Sequence, residues 1–304
     1  MKVFFRIFND TLHSIQVEEL GFSKKTPLYI PDEYLENKNF MVMRTCHGIG
    51  DWILLSAMPR ILKENYPGCK VYIPSQNLMK KVYGDMLQNW GYGTFDASSV
   101  PEMIFKNNPH VDDFIDEYHG EVFHDHYKIY DPDNDRIPLL EQMMDFWQIQ
   151  TDDVDPEFYP TDGEKYWFKK QDFGTYGYIC MTSTFDKTAQ ADSLISIWEK
   201  YQDRVDKWLV YSENPIEQTS FNFIKDPVLI KDMGLTIRQQ QMLKTKALVN
   251  LGNESGMNLW TARYSDTYIL GNTHFGPIHG KELDGKRRER PYKSGNYVSG
   301  CTYV

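Results

Sequence analysis

Three short stretches carry residue types that could act together on a charged substrate. The first is His47-Gly48-Ile49-Gly50-Asp51, a polar glycine-bearing turn between the apolar run Phe40 to Met43 and a segment with helical apolar spacing. A carboxylate at the start of a helix can accept a proton from a substrate hydroxyl. It can also simply cap the helix and meet the positive end of its dipole. The second is Asn250-Leu251-Gly252-Asn253-Glu254-Ser255-Gly256-Met257-Asn258, between an apolar run and a second helical pattern. Backbone N–H groups at such a strand-to-helix turn, approached closely because of Gly256, can cradle an anion. The plainer reading is an ordinary turn capped by Ser255. The third is Thr182-Ser183-Thr184-Phe185-Asp186-Lys187, whose hydroxyls could donate to phosphate oxygens while Lys187 offsets developing negative charge. Out of context such a lysine is solvated surface.

These stretches need elements to hold them. Phe40–Met43, the turn, apolar residues at Ile53, Leu54, Ala57, Met58, Ile61 and Leu62, a break at Tyr66-Pro67-Gly68 and the run Lys70–Ile73 read as strand, helix, strand. That is the βαβ unit of a parallel sheet, and it puts Asp51 at the carboxyl end of a strand, where open α/β sheets bind ligands. Further on, a helix is expected over 76–90, a strand over 111–115 and a helix over 138–149. The second half alternates again, with strands at 177–181, 208–212, 228–230, 247–251 and 267–270. Helices are expected at 191–201, 237–243 and 257–264. Val3-Phe4-Phe5 and Pro27–Ile30 suggest a short hairpin outside the sheet.

The pieces around Asp51 resemble the family 9 glycosyltransferases, the ADP-heptose:lipopolysaccharide heptosyltransferase group. The resemblance rests on Gly48-Ile49-Gly50-Asp51, Ala57-Met58-Pro59-Arg60-Ile61, Tyr66-Pro67 before Lys70-Val71, Asn108 to Ile115, and Leu248 to Gly271. It implies a GT-B architecture, α/β, with two Rossmann-like domains facing each other across a cleft. It also implies an inverting, metal-independent transfer from a nucleotide-diphosphate-sugar (ADP-heptose-like) to an acceptor hydroxyl, with Asp51 as general base and no cofactor. Donor contacts then fall on Gly48, Gly50, Thr182, Ser183, Thr184, Lys187, Glu217, Glu254, Ser255, Gly256, Met257 and Asn258. Glu217 is a looser match to an acid near the nucleotide ribose. The family's D-[ST]-G-x-x-H loop is altered here: Glu254 replaces the acid and Asn258 the histidine, so side-chain contacts to the donor must differ.

The implied organisation is an N-terminal extension over 1–39, an acceptor domain over 40–150, a linker over 151–174 rich in acid and proline, and a nucleotide-sugar domain over 175–275. A tail over 276–304 is expected to pack back on the first domain. The acceptor is expected to be a glycan or lipopolysaccharide-like molecule. Modified DNA bases, as in phage enzymes, are an alternative acceptor, and a non-catalytic nucleotide-sugar-binding protein of the same fold is an alternative function. A net charge of −10 over 304 residues speaks against a general nucleic-acid or anionic-membrane binder. Cys46, Cys69, Cys180 and Cys301 are scattered without a C-x-x-C pair, which gives no support for zinc and fits reduced thiols in a cytoplasmic protein. No window approaches a membrane span, and MKVFFRIFND turns polar too soon for a signal peptide. His119, His124 and His126 invite a metal reading, but a strand would set His119 opposite the other two, and no fourth ligand has a recognisable spacing. The turn His47 to Asp51 lacks the third glycine of a dinucleotide fingerprint and puts an acid where pyrophosphate would sit, so a nucleotide oxidoreductase fits poorly.

Overall fold

Apolar runs without polar alternation belong to strands covered on both faces, as in parallel sheets, and each sheet of this protein contains such a run, Phe40–Val42 in one and Tyr176–Met181 in the other. A computed structural model describes residues 5–10, 39–43, 49–83, 96–117, 122–127, 144, 149–181, 187–212, 221–253, 256–270 and 300–303. They fall into two compact units, divided along the chain between Tyr159 and Pro160.

The first unit holds a five-stranded, all-parallel sheet. Its strands are β1 (Phe5–Asp10), β2 (Asn39–Val42), β3 (Lys70–Pro74), β4 (Asp113–Ile115) and β5 (Val122–Tyr127), in the order β4-β3-β2-β1-β5. Phe40, Met41 and Val42 of β2 and Val71 and Ile73 of β3 are buried. The helical pattern after β2 does not run through as one helix. It forms α1 (Ile49–Leu54) and α2 (Met58–Asn65), joined by a tight turn in which the N–H groups of Leu55, Ser56 and Met58 each bond three residues back. Pro59 explains the break: it has no N–H for the carbonyl of Leu55, and its ring opposes continuing the helix through that residue. Two further helices follow, α3 (Gln76–Tyr83) and α4 (Val100–Phe105). Trp52 of α1 meets Phe105 of α4 edge-on, ring centroids 6.4 Å apart, with both side chains buried. Burial of each such ring contributes about 1.5–3 kcal/mol. Asp112 ties β3 to the segment before β4. It accepts from Lys63 Nζ (2.5 Å), Lys70 Nζ (2.8 Å) and the Val71 N–H (2.8 Å).

The second unit holds a six-stranded, all-parallel sheet. Its strands are β6 (Tyr176–Met181), β7 (Lys207–Ser212), β8 (Val228–Leu229), β9 (Val249–Asn253), β10 (Asp266–Leu270) and β11 (Thr302–Tyr303), in the order β11-β10-β9-β6-β7-β8. Every residue of β6 and β9 is buried. On one face Ile179, Val210 and Leu251 pack with Leu194 and Ile197 of α6 (Lys187–Tyr201). On the other, Tyr176, Tyr178 and Leu209 pack with Leu243 of α7 (Ile237–Lys244). The unit also contains α5 (Asp162–Lys169) and the four-residue α8 (Gly256–Leu259).

Several expectations are corrected. β1 is not part of an outer hairpin: it lies inside the first sheet, parallel to β2 on one side and β5 on the other. Residues 27–30 lie outside the described residues. The stretch 151–174 is not a linker but is shared between the units. The Glu157 N–H donates to Ser56 Oγ (2.8 Å), while α5 is closed by a capping box between Thr161 and Glu164 and held by a bidentate Arg238–Glu164 pair (2.6 and 2.9 Å). Of the expected tail, residues 300–303 are described, and they belong to the second unit. β11 pairs with β10, because an open edge of the second sheet offers unpaired backbone groups to it. Residues 276–299 lie outside the described residues.

Candidate functional site

A parallel sheet opens its ligand crevice at the carboxyl ends of the two adjacent strands from which the chain departs in opposite directions. In the second sheet that point lies between β6 and β9: β7 and β8 lie on one side of β6, and β9, β10 and β11 on the other. β6 ends at Met181, directly before Thr182-Ser183-Thr184, and β9 ends at Asn253, directly before Glu254-Ser255-Gly256. Both stretches singled out for phosphate binding therefore leave the sheet at its switch point. Thr182, Ser183, Thr184, Glu217, Glu254 and Ser255 themselves lie outside the described residues. Lys187 is the first residue of α6, so it opens a helix of fifteen residues. Gly256 opens α8, and both Gly256 and Met257 are half-buried.

Asn258 does something else. Its side chain is 1% exposed, and its amide is committed to the protein. Nδ2 donates to the carbonyl of Asn253 (2.6 Å) and to that of Cys180 (3.3 Å), and Oδ1 accepts from Lys244 Nζ. Both N–H donors are thereby spent, so the side chain offers a donor sugar no hydrogen. The place expected for a donor contact is filled by an internal brace. Gly252 makes room for it: a Cβ there would come 2.2 Å from Asn258 Nδ2 and 2.3 Å from the Cys180 carbonyl oxygen. An isolated glycine inside a strand pattern is a sequence sign of such close approach. Lys244 carried no such sign. A lysine in the last turn of a helix normally faces solvent, favoured by the dipole, but this one is 1% exposed and lies 5.3 Å from the centroid of the Tyr178 ring. Burial lowers its pKa below the usual lysine value. Around it Tyr178 Oη, Gln241 Oε1 and Asn250 Oδ1 are buried without a hydrogen-bond partner among the described residues. Tyr178 and Asn250 are register neighbours on β6 and β9. Burial, foremost, and then the neighbouring Cys180, Tyr211 and Tyr176 hold the Tyr178 hydroxyl protonated well above its ordinary range.

In the first sheet the corresponding point lies between β1 and β5, since β2, β3 and β4 follow on one side of β1 and β5 takes the other. Asp51 follows β2, the next strand over. It is the third residue of α1 and not its cap. Gly50 is half-buried one residue earlier, and Gly48 lies outside the described residues. His124 and His126 lie on β5, opposite Ile7 and Asn9 of β1, and His119 lies outside the described residues. Among the described residues no group of three or more His, Cys, Asp or Glu is disposed to hold a metal ion. No helix there is long and apolar enough to cross a membrane. A polar hollow of about 350 Å³ on the first unit is lined by Arg60, Glu64, Gln150, Thr151, Asp152 and Asp153. Its one cation is taken by Glu157 (2.5 Å), Glu64 (2.8 Å) and the Asp153 carbonyl (2.7 Å).

No protein-family model matches the chain, and no curated protein sequence matches it. Among solved structures, the chain is similar to a family 9 glycosyl transferase from Veillonella parvula, with a TM-score of 0.48 at 8% identity over 88% of this chain and 80% of that one. It is similar to ADP-heptose lps heptosyltransferase II of E. coli, with a TM-score of 0.41 at 10% identity over 88% of this chain and 90% of that one. A third is the E. coli heptosyltransferase WaaC with ADP-2-deoxy-2-fluoro heptose, with a TM-score of 0.35 at 9% identity over 99% of this chain and 92% of that one.

Proposed function

We propose that the protein is a glycosyltransferase that moves a sugar from a nucleotide-diphosphate-sugar to an acceptor hydroxyl with inversion. The observation that carries this reading is the second sheet's switch point, from which the hydroxyl-rich stretch and the Ser255-Gly256 turn both depart. Two loops with hydrogen-bond donors beside one crevice suit an extended anion such as a diphosphate. In the proposed step Asp51 takes the acceptor's hydroxyl proton, the acceptor oxygen bonds to the anomeric carbon, and the glycosidic electron pair leaves with the diphosphate. Lys187 and the backbone N–H groups at Gly256 and Met257 stabilise the charge gathering on that leaving group. The motif resemblance makes an ADP-heptose-like donor the first to test and a glycan the first acceptor, on a cytoplasmic enzyme that needs no metal.

The experiment is isothermal titration with ADP, UDP, GDP and CDP, followed by transfer and donor-hydrolysis assays with the sugar of the preferred base. The wild type is expected to bind one nucleotide preferentially, and Lys187→Ala to weaken that binding or slow turnover about tenfold, the worth of one charge-assisted contact. If none of the four binds, or if Lys187→Ala and Gly256→Val both leave affinity unchanged, the donor site lies elsewhere.

A further inference from the structure

Three strained or costly features of the second unit converge on one side chain. Gly252 gives up a side chain so that Asn258 can approach the strand, Asn258 spends both N–H groups on the carbonyls of two different strands, and Lys244 is wholly buried to hold Asn258 Oδ1. We propose that Lys244 is a positioning residue for the donor site, acting through Asn258 as a staple across the carboxyl ends of β6 and β9. The proposal rests on the donor reading given above.

The two bonded carbonyls make the case. Cys180 is the next-to-last residue of β6 and Asn253 the last of β9, so the staple spans the switch point at the place where both loops leave the sheet. The ladder between these strands runs from Gly177↔Val249 to Cys180↔Gly252, and beyond it the carbonyls of Asn253 and Cys180 have Asn258 in common. Asn258 lies on the same short helix as Gly256 and Met257, two residues on, so fixing its amide also fixes the backbone donors at the start of α8. Preorganised donors stabilise an anion best when no reorganisation is needed at the moment of reaction. The two carbonyls can only accept, so they set Nδ2 toward the strand ends, and Lys244, donating to Oδ1 on the other side, keeps the amide from rotating away and releasing either one. Among the described residues no carboxylate pairs with Lys244; its amine donates to Asn258 Oδ1 and lies beside the Tyr178 ring. A buried amine is costly, and an apolar residue of similar length would pack there at lower cost. The expense is explained by the geometry it enforces on the loops.

The test uses the full chain in three variants. Asn258→Asp keeps an acceptor for Lys244 and deletes both donors to the strand ends, whereas Lys244→Met removes the anchor and leaves the amide. Ile197→Val, on the opposite face of the sheet, controls for general loss of stability. Hydrogen–deuterium exchange without nucleotide reads the staple; titration with ADP, UDP, GDP and CDP reads its consequence. Asn258→Asp and Lys244→Met are expected to speed exchange about tenfold at Met181, Asn253, Gly256 and Met257, and to weaken the preferred nucleotide about tenfold, the worth of roughly one hydrogen bond. Ile197→Val is expected to do neither. Unchanged exchange at both strand ends overturns the staple. Faster exchange with unchanged nucleotide affinity overturns the positioning role. A wild type that binds no nucleotide while the variants still show faster exchange removes the donor reading, and the positioning role with it, but leaves the staple standing.

Discussion

The two sheets are built alike and used differently. Each is parallel and each turns about a switch point, yet in the second the residues marked for chemistry leave from the switch point itself, whereas in the first they leave one strand away. β1 is responsible. Inserted between β2 and β5, it takes the place beside β5 that would otherwise put the Gly48–Asp51 turn at the crevice. A motif can therefore sit after the right kind of strand and still sit beside the place where the topology opens. The proposed donor loops follow from the second sheet's topology, whereas the base proposed for the first unit rests on Asp51 alone.

The sharpest way to break that contrast is Asp51→Asn. Asparagine is tolerated in the first turn of a helix but cannot accept the proton, so transfer is expected to fall about 10²–10⁴-fold with nucleotide affinity unchanged. Transfer within a few-fold of wild type would mean that the first unit contributes no base from α1. Gly252→Ala probes the other side. Its Cβ would press on the Cys180 carbonyl and on Asn258, so thermal unfolding should show a loss of about 1–3 kcal/mol, with weakened nucleotide binding. An alanine variant as stable as wild type would show that the approach at β6 and β9 is looser than described.

A pH series on Asp112→Asn separates stability from chemistry in the first unit. Burial pushes the Asp112 carboxyl up, but hydrogen bonds from Lys63, Lys70 and the Val71 N–H outweigh it and hold the pKa at about 2. A depressed folded pKa gives stability that is present above the unfolded value of about 3.9 and lost as pH falls through the folded one. At neutral pH the variant should thus be less stable by about 1 kcal/mol, the discounted worth of a partly exposed pair. The difference should shrink between about pH 4 and pH 2 and leave nucleotide binding untouched. Constant separation of the two stability curves down to pH 2 would count against the Lys63–Asp112–Lys70 bridge. The smallest effect is expected from Lys165→Ala. Its partner Asp162 is almost fully exposed, so the change should stay under about 0.5 kcal/mol in any assay.

What the sequence disclosed follows from which forces are local. Continuous apolar runs marked β2 and β6, apolar residues between turns marked β9 and β10, and the helical pattern of α7 closed within a residue of its expected end. Two misses were readable in principle. Pro59 announces the break between α1 and α2, and Thr161-Asp162-Gly163-Glu164 is a capping box hidden in a stretch whose acids and prolines resemble a linker. The interior place of β1 was not readable, because strand order is set by long-range pairing that no local pattern encodes. Lys244 was equally silent, since nothing near it distinguishes a buried helix-end lysine from a solvated one. In the candidate site, the backbone positions of Gly256 and Asp51 were legible, while the inward role of Asn258 depended on strand neighbours distant in sequence.

The position of β1 also bears on how the first unit comes together. Phe5 finds its partner Val122 more than a hundred residues later, so β1 acquires its second neighbour late in synthesis. Until then one side of it is an unpaired edge, open to pairing with another chain. Such non-local closure is slow. Folding yield of the whole protein should therefore depend on concentration and on whether β5 is present, and truncation before Val122 should yield a chain that aggregates rather than a smaller working unit.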